Sequence, residues 1–159
     1  MRRTFADELY KLMEKNEDVW LVTGDLGYRM FDNIQDRFWN RFVNAGAAEQ
    51  AMLGVGVGLA QMGKIPFIYS ITPFLIYRPF ETIRNYVNHE KAKVCLVGGG
   101  RDKDYDHDGF SHWACEDRKV MDVFENIPSY WPLTREEIPG IFNSILGADG
   151  LPAYINLRR

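Results

Sequence analysis

The sequence has few of the features that mark secreted, membrane-spanning or nucleic-acid-binding proteins. Its two cysteines, Cys95 and Cys115, are too few for a disulfide scaffold. No apolar run approaches about 18 residues, and none follows the basic N-terminus, so we expect neither a membrane span nor a signal peptide. The chain has 19 Lys and Arg against 22 Asp and Glu, a net charge of −3, which argues against nucleic acid or an anionic membrane as a partner. We therefore expect a cytoplasmic protein.

The composition of the whole sequence is typical of a globular domain. The 159 residues are 46% hydrophobic, 14% aromatic and 26% charged, and this length suits one domain. No linker, repeat or low-complexity segment divides the chain. We therefore predict a single domain over residues 1–159.

Apolar runs alternate with segments of helical periodicity along the chain. The apolar runs predict strands at residues 19–23, 41–44, 65–69, 93–97, 128–131 and 153–157. The helical segments are 4–15, 28–37, 47–62, 73–88, 115–124 and 134–146. This alternation predicts an α/β fold, with a doubly wound, mostly parallel six-stranded sheet and helices on both faces. A polar loop at 99–113 follows the fourth strand, at the end where such sheets bind ligands.

The predicted helix at 47–62 is apolar almost all round, so we expect it to be buried on every side. Gly54, Gly56 and Gly58 each cost about 1 kcal/mol relative to alanine inside a helix, which close packing against another backbone would offset. A chain of this size has few places to enclose a helix fully. A subunit interface is therefore expected at this helix.

Three side chains admit both a structural and a functional interpretation. Glu49, in the first turn of that helix, is either a carboxylate favoured by the helix dipole and held by a neighbour such as Asn44, or a buried carboxylate that shares a proton with a ligand nitrogen. Phe74 and Tyr77 begin the 73–88 helix. They fit either core packing or stacking of a flat ring on a heteroaromatic ligand.

Other patterns fall short of the sites they resemble. The glycines at 54–58 lack the spacing and context of a dinucleotide fingerprint. Asp104–Gly109 begins like a calcium loop, but Cys115 stands where that loop needs Glu. His107, His112 and Cys115 leave a zinc site as an alternative to polar side chains at a pocket mouth, although their spacing is not typical of zinc. We therefore expect no metal site in this chain.

Several motifs, in one order along the whole chain, resemble those of the transketolase family. They are similar to the central, pyrimidine-binding domain of transketolases and 1-deoxyxylulose-5-phosphate synthases. The segment 41–52, RFVNAGAAEQAM, is similar to R-F-x-N-x-G-I-A/R-E-Q/H, and 63–67, GKIPF, to G-x-x-P-F. The segment 74–84, FLIYRPFETIR, is similar to F-x-x-x-R-x-F-D-Q-I-R, and 108–112, DGFSH, to D-G-P-T-H.

The resemblance implies thiamin diphosphate as the cofactor and assigns roles to four residues on its side of the site. Glu49 matches the glutamate that holds N1′ of the aminopyrimidine and starts activation of the cofactor, so we expect it to be catalytic. Phe74 matches the ring that stacks on the aminopyrimidine, and Tyr77 is the next helix residue on that side. Asp25, in the segment GDL, matches a cofactor-side aspartate.

The resemblance also assigns substrate-binding residues. Asp108 and His112 match residues that bind substrate hydroxyls, and the histidine also assists proton transfer. Arg158 lies near a position that carries an arginine in the family and could bind phosphate. Glycines around Gly100 replace the family's Thr-His-Asp, which favours a specialised sugar or 2-oxo acid over an ordinary pentose phosphate. Ketol transfer is favoured, and the alternatives are 2-oxo acid decarboxylation or synthesis and a non-catalytic partner subunit.

We also expect this chain to work with a partner chain. In the family, an upstream diphosphate-binding domain carries a G-D-G…N motif for Mg²⁺, and a further C-terminal domain follows the pyrimidine domain. Neither is found in this sequence. We therefore expect the chain to pair with a separate diphosphate-binding-domain subunit that holds Mg²⁺, in an α2β2 heterotetramer.

Overall fold

Six parallel strands form one sheet in the computed structural model, which describes residues 1–147 and 150–159. The strands are β1 (Val19–Thr23), β2 (Phe42–Asn44), β3 (Ile65–Ile71), β4 (Cys95–Gly99), β5 (Ser129–Tyr130) and β6 (Ala153–Leu157). The α-helices are α1 (Arg2–Lys15), α2 (Asp32–Arg37), α3 (Glu49–Gln61), α4 (Thr72–Tyr77), α5 (Phe80–Thr82), α6 (Asp117–Met121) and α7 (Ile138–Ile145). The strand order is β2-β1-β3-β4-β6-β5. The predicted α/β fold is confirmed.

Helices cover both faces of the sheet because successive strand residues point to opposite sides. Phe67 of β3 lies in the core beneath α1 and α7, where its ring packs against Phe5 and Phe142. Ile68, the next residue, lies in the core on the other face, with Leu53 of α3. This doubly covered arrangement explains why the strands are continuous apolar runs.

The segment predicted as one helix at 73–88 is broken. α4 and α5 are separated by Arg78 and Pro79, and a π-helix follows at Ile83–His89. Proline lacks a backbone N–H, and its ring clashes with the preceding turn, so the α-helix cannot continue through residue 79. The break leaves Arg78 at the junction of two short helices.

Other boundaries differ by a few residues. β4 begins later than predicted and runs through Gly99, and β5 is only two residues long. α2 begins at Asp32 rather than at residue 28, because a turn precedes it in which Gly27 has φ +87°. α6 is shorter than predicted at both ends, and a 3₁₀ turn at Arg135–Glu137 leads into α7.

α3 is not enclosed on every side by this chain, contrary to expectation. Its sheet-facing residues are buried, but Val55 on the opposite face is 40% exposed. A Cβ at Gly56 would collide with Ile68, whereas one at Gly54 or Gly58 would meet nothing within 4 Å. Packing within the described residues therefore accounts for one of the three helix glycines, and the expectation of a subunit interface stays a prediction.

Candidate functional site

The predicted site residues lie at the carboxyl end of the sheet, around the point where strand order reverses. β2 lies on one side of β1 and β3 on the other, so strand order reverses at β1, the place where parallel sheets of this kind bind ligands. α3 begins with Glu49 soon after β2, and β3 leads directly into α4. The polar loop follows the carboxyl end of β4.

Glu49 is a buried carboxylate at the first turn of α3. Only 3% of its side chain is exposed, and its Oε2 accepts a hydrogen bond from Arg78 Nη1 at 2.7 Å. An added Cβ at Gly24 would lie 3.3 Å from Gly46 O and from Met52 Sδ, and 3.9 Å from Glu49 Oε1. The backbone at Gly24 therefore packs closely against the start of α3.

Phe74 of α4 connects Glu49 to the polar loop. The guanidinium carbon of Arg78 lies 3.9 Å from the centroid of the Phe74 ring, a cation–π contact. The ring of His112 meets Phe74 edge-on, with 4.8 Å between centroids. His112 Nδ1 lies 3.0 Å from Ser111 Oγ. We call Glu49, Arg78, Phe74 and His112 the Glu49 cluster.

Asp25 adjoins the Glu49 cluster through Gly24. It adopts a left-handed backbone conformation with φ +59°, which aspartate tolerates better than most residues. Its N–H donates to Asn44 Oδ1 at 2.8 Å, and its Oδ1 accepts from the Tyr28 hydroxyl at 2.7 Å and from the Asn44 amide at 3.2 Å. The hydrogen bond from Tyr28, followed by that from Asn44, holds the pKa of Asp25 below its ordinary value. Asn44 thus binds Asp25, and the suggestion that it pairs with Glu49 is wrong.

Tyr77 makes a different contact from Phe74, although both lie on α4. Its hydroxyl lies 3.4 Å from Glu116 Oε2, at the start of α6. Burial, and then the charge of Glu116, raise the pKa of Tyr77 to about 12. The Tyr77 hydroxyl therefore points toward α6 rather than to Glu49.

Asp108 and Arg158 are exposed side chains outside the Glu49 cluster. The Asp108 side chain is 40% exposed, and its Oδ2 lies 3.2 Å from His107 Nε2. Arg158 Nη2 lies 3.7 Å from Asp102 Oδ2. Over residues 1–147 and 150–159, neither forms a hydrogen bond or ion pair with the Glu49 cluster.

A buried polar network beneath the loop was not predicted from the sequence. Asn156 of β6 accepts from Arg101 Nε through its Oδ1 at 3.1 Å, and its Nδ2 donates to Asp117 Oδ2 at 2.9 Å. The same Asp117 oxygen accepts from Trp131 Nε1 at 2.7 Å and from the Tyr154 hydroxyl at 3.0 Å. Arg101 and Asp117 are only 3% and 2% exposed. The network ties β6 and α6 to the base of the loop that carries the substrate-side residues.

Arg78 was also missed as a site residue. Two signals point to it: Arg78 matches the arginine of the motif quoted for residues 74–84, and it lies four residues after Phe74, a spacing that places two side chains on the same face of a helix. Nothing in that spacing points to Glu49, which lies 29 residues earlier in the chain.

The described residues contain neither a metal-ligand cluster nor a helix that could span a membrane. No three His, Cys, Asp or Glu side chains come together there as metal ligands, so the sets needed by the calcium and zinc alternatives do not form. No described helix combines the length and apolar character that a bilayer crossing requires.

The sequence model of one protein family, described as the transketolase pyrimidine-binding domain, matches residues 1–159. The chain belongs to this family. Membership implies the use of thiamin diphosphate, and the resemblance inferred from the motifs is confirmed. The 6-deoxy-6-sulfo-D-fructose transketolase subunit of Clostridium sp. (strain MSTE9) is 30% identical over 160 residues, which cover 100% of this chain and 49% of that subunit.

Two further proteins are also similar to this chain. A subunit of the apulose-4-phosphate transketolase of Actinobacillus succinogenes is 33% identical over 120 residues, or 76% of this chain and 38% of that relative. A split-gene transketolase solved as an inactive β4 tetramer has 29% identity and a TM-score of 0.82, covering 99% of this chain and 51% of that one. The chain is thus similar to transketolase-type subunits and spans about half the length of the sulfofructose and split-gene proteins.

Proposed function

We propose that this chain is the pyrimidine-binding subunit of a split, thiamin diphosphate-dependent enzyme that transfers a ketol unit between sugar substrates. The observation that carries the proposal is Glu49, a carboxylate buried at the first turn of a largely apolar helix and joined to Phe74 through Arg78. Arg78, whose side chain is 48% exposed, pairs with this carboxylate, and the cofactor takes over that pairing in this proposal. Membership of the transketolase pyrimidine-binding family supports this role.

The residues present fit the aminopyrimidine part of the cofactor. Glu49 offers a buried carboxylate and Phe74 offers the face of an aromatic ring, and the Arg78 guanidinium contacts both. Thiamin diphosphate, when bound, supplies an electron sink for breaking and forming a carbon–carbon bond next to a carbonyl. In this proposal, the Glu49 carboxyl holds a proton against N1′ of the pyrimidine, and exclusion of water strengthens that hydrogen bond. In this proposal Asp25 and the ring of Tyr77 contact the cofactor, while the Tyr77 hydroxyl stays with Glu116.

His112, Asp108 and Arg158 act on the substrate in this proposal. His112 is held by Ser111 and by the edge contact with Phe74, and an imidazole there can move a proton to or from a substrate hydroxyl. Asp108 accepts hydrogen bonds from hydroxyls, and Arg158 pairs with an anionic group. Two relatives are named for a sulfonated and a phosphorylated sugar, which supports a specialised anionic sugar as the substrate.

A separate subunit supplies the diphosphate-binding domain and its Mg²⁺ in this proposal, within a cytoplasmic α2β2 assembly. The chain spans about half of its relatives, and one split-gene transketolase is known as an inactive β4 tetramer, which supports a need for two kinds of subunit. The exposed face of α3, with Gly54 and Gly58 free of neighbours among the described residues, supports a contact with another chain.

Glu49→Gln tests the proposal directly. Glutamine keeps the size of the side chain but cannot hold the acidic proton, so turnover in the presence of the diphosphate-domain subunit should fall by about 100-fold or more while folding is retained. Glu81→Gln, which neutralises an exposed carboxylate on α5, is the matched control and should leave turnover unchanged. Near-normal turnover by the Glu49 variant would overturn the assignment.

A further inference from the structure

Arg78 occupies both groups that the proposed cofactor site offers to a flat ring. Its Nη1 donates to Glu49 Oε2 at 2.7 Å, and its guanidinium carbon lies 3.9 Å from the Phe74 centroid. A guanidinium is planar, carries N–H donors along its edge and stacks on aromatic faces. One side chain therefore binds the carboxylate and covers the ring at the same time.

A planar nitrogen heterocycle would bind to the same two groups as this guanidinium. It would place a nitrogen edge against the Glu49 carboxylate and a face against Phe74. Because the guanidinium already takes Glu49 Oε2 and lies over one face of Phe74, a heterocycle that uses this oxygen and this face competes with it.

Of the three side chains involved, Arg78 is the one able to leave. The side chain of Glu49 is 3% exposed and fixed in the first turn of α3, whereas that of Arg78 is 48% exposed. Arg78 lies between α4 and Pro79, where the regular helix is interrupted. Within the described residues, its guanidinium hydrogen-bonds to Glu49 and has no second acceptor.

We propose that Arg78 closes the pyrimidine site in the cofactor-free chain and must swing away when the cofactor binds. The inference rests on the proposed roles of Glu49 and Phe74. The apparent dissociation constant of a ligand rises as the fraction of protein in the competent state falls. An ion pair to a half-exposed guanidinium, together with a cation–π contact of the same group, favours the closed arrangement by about 3- to 30-fold. Removing Arg78 should tighten cofactor binding by the same factor.

The test is calorimetric titration of thiamin diphosphate with Mg²⁺ into the complex of this chain with its diphosphate-domain subunit. Arg78→Met keeps the length of the stem and removes the charge and the donors, and it should bind the cofactor about 3- to 30-fold more tightly than the parent chain. Arg84→Met is the matched control, because the Arg84 guanidinium bonds only to its neighbour Asn85 among the described residues. Its affinity should not change.

A second variant guards against loss of folding. Arg78→Lys retains the charge but not the flat stacking group, so its affinity should lie between those of the parent and Arg78→Met. Equal or weaker binding by folded Arg78 variants, with a parent complex that binds the cofactor, overturns the competition while leaving the proposed function intact. A parent complex that binds no cofactor overturns the proposed function and the competition with it.

Discussion

Asp117→Asn is a direct test of the buried network beneath the polar loop. The Asp117 carboxylate is 2% exposed, and its Oδ2 accepts hydrogen bonds from Trp131, Tyr154 and Asn156. Asparagine keeps the shape of the side chain but removes its charge. The three donors therefore stay in place and lose a charged acceptor.

The expected loss follows from those three bonds. A hydrogen bond to a charged group contributes about 1.5–3 kcal/mol, and one between neutral groups contributes about 1 kcal/mol. If each bond weakens by about 1 kcal/mol, the free energy of unfolding should fall by about 2–4 kcal/mol. Such a loss is well above the usual effect of a surface substitution, which is within about 0.5 kcal/mol.

Urea unfolding at one fixed protein concentration measures this change, because assembly makes apparent stability depend on concentration. Asp122→Asn is the matched control, since Asp122 is an exposed carboxylate just beyond the other end of α6. The midpoint should move for Asp117→Asn alone, with the same slope. A loss no larger than that of the control would refute the account of the network.

Two further outcomes follow from single contacts. Glu116→Gln should lower the pKa of Tyr77 from about 12 only part of the way to its ordinary 10.0, since burial is the larger cause of the shift. NMR titration of labelled tyrosine rings measures this pKa. An unchanged pKa would exclude the Glu116 contact. Because the folded-state pKa is raised, the stabilisation from neutral Tyr77 is complete below pH 10 and is lost as pH rises toward about 12. Gly56→Ala should destabilise the chain through its collision with Ile68, whereas Gly54→Ala should stabilise it by about 1 kcal/mol. Equal shifts in denaturant unfolding would contradict this distinction.

The fold was largely predictable because buried strands and helices show a local pattern of apolar residues in the sequence. β1 and β6 have the predicted bounds, since both are short, largely apolar runs buried on two faces. β4 was placed too early, because Gly98 and Gly99 carry no side chain and resemble a loop. Their backbones nevertheless pair with β3. Such pairing depends on a neighbouring strand, which no local pattern reports.

Part of the site was predictable from the sequence. A carboxylate in an apolar helix made Glu49 unusual, but its proposed role, like those of Phe74 and His112, came from the resemblance to the transketolase family. Its partner Arg78 lies 29 residues away, and Asn156 lies 39 residues from Asp117, so the contacts arise from the fold and not from spacing. The position of Tyr77 on the same helix as Phe74 did not reveal that the Tyr77 hydroxyl contacts Glu116.

The central claim is that this chain holds one part of a shared thiamin diphosphate site. Calorimetric titration of thiamin diphosphate and Mg²⁺ into the chain alone, and then into its mixture with a candidate subunit carrying the G-D-G…N motif, tests it most directly. The account predicts binding in the mixture and none to the chain alone. Tight binding to the isolated chain, or no binding in either case, would contradict it.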